Sequence, residues 1–353
     1  MFNQKSNVMK NLILPEDYRN WLTREATESA IKFIKDEFQN TLAKKLDLKR
    51  VTAPMLVAGG TGINDDLNGD EKPVSFPVHS MGSSRVEVVQ SLAKWKRIKL
   101  AQLDPEKITG IYTDMNALRP DEALSNIHSV YVDQWDWEKV LQPEERNLET
   151  LKETVRRIYD SIKETEQAVI ERLPILQSFL PDEITFMHAE DLQQRYPDRT
   201  PSEREDLITR KHGAVFLIGI GHTLSDGVPH DQRAPDYDDW STPTLHGYRG
   251  LNGDILVWNP VLKKAFELSS MGIRVSPESL KEQLHLSKTE ERSTLMFHSR
   301  LLKGELPQTM GGGIGQSRLC MLYLQKAHIG EVQAGVWPEA MRGECEKHGM
   351  ELL

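Results

Sequence analysis

Residues Gly311-Gly312-Gly313-Ile314-Gly315-Gln316-Ser317-Arg318 carry the most specific chemical signal in the sequence. Four glycines fall within five positions, and an apolar run, Leu319 to Leu324, follows. Glycine lets a ligand approach the backbone closely. The apolar run predicts a buried helix starting near Gln316. The first N–H groups of such a helix lack partners and carry partial positive charge. Arg318 adds a full positive charge in that first turn, where the dipole disfavours it. An anion facing both would account for it, so the stretch is a candidate phosphate site. These residues alone leave open a glycine-rich turn with a solvated arginine. The standard phosphate loops do not fit. No Gly-Lys-Ser/Thr closes the run, Gln316 stands where a dinucleotide loop needs glycine, and Leu306-Pro307-Gln308 is a poor preceding strand.

Three further groups could act with it. Arg119 follows a predicted strand, Gly110 to Leu118, where a side chain can be aimed precisely; a turn pairing with Asp121 or Glu122 is the alternative. Asp254 and Glu267 sit on predicted strands, and paired carboxylates suit Mg²⁺, which takes one or two carboxylates plus substrate phosphates. Two arginines and a metal are what transfer from a triphosphate needs, because catalysis there is mostly positioning and charge stabilisation. The loop from Ser225 to Thr244 is rich in aspartate (Asp226, Asp231, Asp236, Asp238, Asp239) and fits a metal–nucleotide or a turn with many Asx bonds. No zinc-protease motif, Cys-x-x-Cys pair or nucleophile elbow is present.

The elements that would position these groups read as follows. Residues 15–47 predict a helix, with Pro15 and Glu16 in its first turn. An extended segment carries Pro54, which suits an edge or interface strand. A polar loop, Gly59 to Gly69, holds Asp65 and Asp66. Val74–Val78 and Val86–Val89 predict a strand pair. Ser91 is placed to cap a helix that ends in Lys94-Trp95-Lys96-Arg97, which composition reads as an amphipathic surface helix. A strand from Ser129 to Gln134, a long helix from Glu144 to Leu173, and strands at Ile184–His188, Ala214–Ile220, Leu251–Asn259 and Ala265–Val275 follow. In Phe266 to Ser270, Glu267 and Ser269 alternate with apolar or small residues and share a face. Pro277 to His298 reads as helical. The pattern predicts one α+β domain, residues 1–353, on a largely antiparallel sheet, with a helical segment over about 1–48 and a core over about 49–340.

Composition sets the limits. The 353 residues, 38% hydrophobic and 27% charged, describe a globular protein with a sizeable core. There is no run long enough to span a membrane and no apolar leader, so a cytoplasmic location is expected. A net charge of −9 argues against a broad nucleic-acid footprint. Two cysteines make neither a disulfide scaffold nor a zinc site; one buried thiol and one surface thiol are expected.

Pro54, then Arg119 with its acidic neighbours, then Gly311-x-Gly313-x-Gly315-x-x-Arg318 resemble, in order, the three signature motifs of class II aminoacyl-tRNA synthetases, and the aspartyl and asparaginyl branch in particular. The chain is more closely similar to a family that shares this core, the ammonia-dependent asparagine synthetases or aspartate–ammonia ligases. The resemblance runs through Ser91-Leu-Ala-Lys-Trp-Lys-Arg97, Ala117-Leu-Arg-Pro-Asp-Glu122, His128 to Glu138, Arg233-Ala-Pro-Asp-Tyr-Asp-Asp-Trp240, Leu251 to Leu262, Phe266 to Arg274 and Pro307 to Leu319, about residues 50 to 338. Gln90 and Gly221-His222 depart from the expected pattern.

That resemblance implies a reaction in which aspartate and ATP form a β-aspartyl-adenylate and pyrophosphate, and ammonia then displaces AMP. It also implies a homodimer. Ser91, Lys96, Gln134, Asp136 and Ser270 would hold aspartate. Arg119 would bind the α-phosphate, Arg318 would clamp ATP with Asp238 nearby, and Asp254 and Glu267 would bind Mg²⁺–pyrophosphate. Asp65 would receive or deprotonate ammonium. Arg119, Asp65, Lys96 and Gln134 are the expected catalytic set. Phe2 at the second position and Cys320 in the expected core leave no thiol nucleophile for a glutamine-dependent amidotransferase, so free ammonia is the expected nitrogen source. About 50 residues before Pro54 are too few for an anticodon-binding barrel, which counts against a tRNA synthetase paralogue. Retention of both motif arginines counts against a non-enzymatic adenylate or amino-acid sensor.

Overall fold

The computed structural model describes residues 11–65, 67 and 71–353; Asp66, expected beside Asp65, lies outside them. The strands are β1 (Lys49–Arg50), β2 (Leu56–Ala58), β3 (Ser75–Val78), β4 (Ser84–Val88), β5 (Gly110–Leu118), β6 (Tyr131–Val140), β7 (Thr185–His188), β8 (Ala214–Ile218), β9 (Asn252–Asn259), β10 (Lys264–Ile273) and β11 (Thr309–Gly315). The helices are α1 (Arg24–Leu46), α2 (Ala93–Ala101), α3 (Leu148–Arg172), α4 (Ala189–Arg195), α5 (Pro201–His212), α6 (Pro277–Leu286), α7 (Met296–Leu302), α8 (Gln316–Tyr323) and α9 (Glu339–Lys347). Eight strands form one sheet in the order β1-β5-β6-β11-β10-β9-β8-β7, and β2-β4-β3 form a second, smaller one. The α+β class stands, and the large sheet is mixed. Its two outermost pairs, β1 with β5 and β7 with β8, run parallel, and the inner pairs are antiparallel.

Strand β6 shows how one sequence serves both faces. Side chains alternate across a strand. Trp135 and Trp137 therefore turn into the core, where the Phe38 ring of α1 lies 4.7 Å from Trp135. Gln134, Asp136 and Glu138 turn the opposite way. Helices α1 and α3 meet over the core face, burying Ile34, Phe38 and Leu42 with Val155, Ile158 and Ile162. Emptying the Phe38 site would cost about 3–5 kcal/mol.

The elements differ from expectation at several points. Helix α1 begins at Arg24, where Thr23 Oγ1 caps Ala26 N; Pro15 and Glu16 precede it in a separate turn. Pro54 lies between β1 and β2 rather than in a strand. Helix α2 is no surface helix. Lys94, Lys96 and Arg97 are buried, and Arg97 donates to the Pro307 and Val275 carbonyls, both at 2.8 Å. Leu92 occupies its cap position, although Ser91 Oγ still accepts the Ala93 N–H at 3.1 Å. Cys345 is buried along with Cys320. Among the described residues, no helix is long and apolar enough to cross a membrane.

Candidate active site

The glycine stretch is itself a strand. β11 lies between β6 and β10, and its glycines run as a bare strip through the middle of the sheet. Gly311 pairs with Glu138 and Gly313 with Asp136 on one side; Gly311 pairs with Gly272 and Gly313 with Ser270 on the other. A methyl group at Gly311 would overlap Glu138 Oε2 and Arg274 Nη2, and one at Gly313 would overlap Gln134 Oε1. The glycines leave room for polar side chains from both neighbouring strands to lean over them. The helix start is a different matter. Asp133 accepts from Ser317 N at 3.0 Å and from Ser317 Oγ at 2.8 Å, so the N-terminus of α8 is already occupied by a carboxylate. The phosphate-site reading therefore loses its helix-dipole term and keeps Arg318.

Above this strip opens a cleft of about 440 Å³. It brings together Asp65, Ser91, Lys96, Arg119, Gln134, Asp136, Asp238, Glu267, Ser270 and Arg318, from seven separate stretches of chain. Asp254 is the one expected site residue that does not line it. That carboxylate is buried behind Arg233, whose Nη2 lies 2.5 Å from Asp254 Oδ2. Burial, opposed by Arg233 and reinforced by Glu267, pushes the Asp254 carboxyl up to about 7.

A bulge in β10 sets the carboxylate geometry. Glu267 pairs with Leu256, but Ser269 pairs with Ile255, so Leu268 is the extra residue. A bulge shifts the alternation by one. Glu267 and Ser270 therefore share the cleft face with Asp254, and Ser269 turns away; the expected Glu267–Ser269 face does not form. Two carboxylates that feel each other's charge fit a Mg²⁺ shared with phosphates. Among the described residues no group of three or more His, Cys, Asp or Glu side chains could hold a metal, so the donor set does not suit a metal held by protein alone.

Two kinds of charged group meet in the cleft. On its floor, Arg274 binds Glu138 through Nε–Oε1 (3.0 Å) and Nη2–Oε2 (2.7 Å) and also pairs with Asp238. Thr309 Oγ1 donates to Glu138 at 2.7 Å. Lys96 Nζ pairs with Asp136 Oδ2 at 2.9 Å and donates to the Gly312 carbonyl at 2.9 Å. Although burial raises it, the Glu138 carboxyl is held below the usual range, by Arg274 foremost. On the wall, Arg119 makes no ion pair among the described residues. Its guanidinium donates from Nη2 to the Gln90 carbonyl at 3.3 Å, and its buried Nε has no partner. The expected alternative of a turn pairing with Asp121 or Glu122 is not found. Asp136 Oδ1 is likewise buried and idle. Arg318 leans across, donating to the Glu267 carbonyl at 3.0 Å with its carboxylate at 3.6 Å.

Four residues were missed. Glu138 was legible, because Gln134, Asp136 and Glu138 are spaced by two on a strand. Arg233 stood out only as a cation in an acidic loop. Tyr237 lies in the same loop and lines the cleft, and its hydroxyl is pushed well above the usual phenol range by burial and by Asp65. His128 also lines it, and burial with Arg318 pushes its imidazole down to about 4.

Residues 25–349 match the family model described as aspartate–ammonia ligase. A curated aspartate–ammonia ligase from Parabacteroides distasonis is 57% identical over 345 residues, covering 98% of this chain and 100% of that one. The chain belongs to the aspartate–ammonia ligase family. A further member, from Clostridium perfringens, is 53% identical over the same share of both chains. Among solved structures, the asparaginyl-tRNA synthetase of Pyrococcus horikoshii complexed with asparaginyl-adenylate has a TM-score of 0.64 at 14% identity, covering 88% of this chain and 70% of that one. That of Entamoeba histolytica in complex with asparaginyl-adenylate also scores 0.64, at 13% identity, covering 90% and 68%. At such identity these two establish the fold alone. As a member of the aspartate–ammonia ligase family the chain is an enzyme, a ligase that forms asparagine from aspartate and ammonia.

Proposed function

We propose that the ligase works through a β-aspartyl-adenylate. A β-carboxylate oxygen of aspartate attacks the α-phosphorus of ATP, and the bond to pyrophosphate breaks. Ammonia then attacks the β-carbonyl carbon, AMP leaves, and the nitrogen loses a proton. The observation that supports this most is Arg119, a cation with a buried idle Nε that makes no ion pair among the described residues, although its charge reaches Glu122. Charge that develops on a transferring phosphate would complete it, and a preorganised donor of this kind is worth about 2.7–4 kcal/mol in the transition state.

The other roles are those the family resemblance implies, and the shared cleft supports them. Ser91, Lys96, Gln134, Asp136 and Ser270 hold aspartate; Lys96 reaches it from a floor that fixes its amine in two directions. Arg318 clamps the triphosphate, and Asp238, held by Arg274, stands beside it. Asp254 and Glu267 would hold Mg²⁺, which when bound supplies positive charge to the pyrophosphate. Arg233 reaches the same carboxylates from the acidic loop. Asp65 takes the proton from ammonium. The whole chain, 1–353, acts as one catalytic domain. A second copy covers the exposed apolar side chains of the small sheet and its surroundings, among them Met55, Leu56, Phe76 and Met81, and sedimentation at several concentrations checks that dimer.

The test is product stoichiometry. Purified protein with aspartate, ATP, Mg²⁺ and ammonium should yield one AMP per asparagine. ADP in place of AMP would mean a phosphate-transfer route and contradict the reading.

A further inference from the structure

Both polar atoms of the Gln90 side chain, Oε1 and Nε2, are buried without a hydrogen-bond partner. The residue is 0% exposed and lines the cleft. Leaving such a buried group idle is unfavourable. An unsatisfied group in a folded protein therefore calls for a reason, and a ligand that completes it is one. The main chain of Gln90 is fully used. Its N–H donates to Asn64 Oδ1 at 2.9 Å, and the same oxygen receives the Asp65 N–H at 3.0 Å. Its carbonyl accepts from Arg119. One residue thus ties the loop of Asp65 to the guanidinium of Arg119, while its carboxamide is left over in the cleft wall.

A carboxamide offers an oxygen acceptor and two N–H donors. The cleft is already rich in donors for anions, since Lys96, Arg119, Arg233, Arg274 and Arg318 all line it. Anions are thus served without Gln90, which leaves its carboxamide oxygen for a donor. A group that brings only N–H donors is an ammonium nitrogen, and the reaction has two: the free one that becomes the amide, and the α-ammonium of aspartate. We infer that the Gln90 carboxamide oxygen accepts a hydrogen bond from one of these ammonium nitrogens. The inference rests on the reaction proposed above. Being neutral, Gln90 orients the nitrogen without taking its proton, a task that stays with Asp65.

The test compares the full-length wild type with Gln90→Met and Gln90→Glu. Three readouts are needed: asparagine formation against ammonium and aspartate, aspartate-dependent ATP–pyrophosphate exchange without ammonium, and thermal unfolding. Gln90→Met should unfold at the same or a higher temperature, because an idle buried amide is replaced by an apolar group of similar size. Its KM for one nitrogen should nevertheless rise at least about tenfold, the loss of about 1.4 kcal/mol of binding. A rise in the ammonium KM with exchange unchanged assigns the contact to free ammonium. A rise in the aspartate KM of exchange assigns it to the α-ammonium. Gln90→Glu, a stronger acceptor, should keep or lower the KM for that nitrogen. The inference is overturned if Gln90→Met leaves both KM values within twofold of wild type, whatever its unfolding temperature. Absence of exchange in the wild type would instead overturn the adenylate route, and the rates of asparagine formation would still report on Gln90.

Discussion

The floor and the wall of the cleft are built from the same residue types and differ in how completely they are paired. On the floor, Arg274 meets Glu138 and Asp238, Thr309 completes Glu138, and Lys96 meets Asp136 and a carbonyl. On the wall, Arg119 and Gln90 keep buried polar atoms with no partner. Burying a charge is tolerable when it is paired and hydrogen-bonded. Apart from Asp136 Oδ1, the floor therefore satisfies itself and supports the fold, and the wall is left to be satisfied by something that binds. Buried polarity alone does not mark a functional group; buried polarity left incomplete beside a cavity does.

Breaking the floor should have the largest effect. Arg274→Ala leaves Asp238 buried with no ion pair among the described residues and Glu138 with only Thr309 and, at 4.0 Å, Lys96, and removing one partner of such a buried pair costs about 3–5 kcal/mol. Denaturant unfolding should show that loss, and activity should fall with the folded fraction. Arg119→Ala should do the reverse. Exchange should drop by about 10²–10³-fold, while the denaturant midpoint stays close to wild type, since only a 3.3 Å hydrogen bond to the Gln90 carbonyl is lost and no ion pair is broken among the described residues. If Arg119→Ala proved as destabilising as Arg274→Ala, the distinction between the two regions would fail.

A third cluster sharpens the comparison. Asp236, in the acidic loop, accepts from His298 Nε2 at 2.6 Å, with Arg292 at 2.9 Å and Lys94 at 3.7 Å. Burial pushes its carboxyl up, but the His298 hydrogen bond and the charges of Lys94, His298 and Arg292 outweigh this and hold it at about 2. An unfolded aspartate titrates near 3.9. A group lowered on folding stabilises the native state above its unfolded pKa and loses that contribution as pH falls through its folded value. Stability should therefore decline by about 2 kcal/mol between about pH 4 and pH 2 from this group. Asp236→Asn should flatten that decline in acid unfolding curves. The smallest effect belongs to Ser91→Ala. Losing the Oγ that receives Ala93 N should cost about 0.5–1 kcal/mol of stability, and any larger rise in the aspartate KM would come from a substrate contact.

Much of this was readable from residue types. The spacing of Arg119 after its strand, the Ser91-to-Arg97 segment and the glycine run pointed to the residues that the cleft collects. What could not be read was pairing at long range. Lys94, Lys96 and Arg97 look like a solvated face because their carboxylate and carbonyl partners lie elsewhere in the chain, on β6, β11 and the acidic loop and at Val275 and Pro307. The bulge at Leu268 carries no local signature, yet it decides whether Ser269 or Ser270 faces the cleft with Glu267. Helix α5 was overlooked despite a signal: Thr200 and Glu203 form a reciprocal cap with Pro201 in the first turn. The glycines invited a loop reading because glycine is poor in strands. Only the register shows that Glu138 and Gln134 need the space.

If the unpaired wall awaits an adenylate, exchange of pyrophosphate into ATP measures it most directly. With aspartate and Mg²⁺ but no ammonium, the wild type should exchange label readily, and Arg119→Ala should not. Asparagine formation by a protein that shows no such exchange would contradict the account.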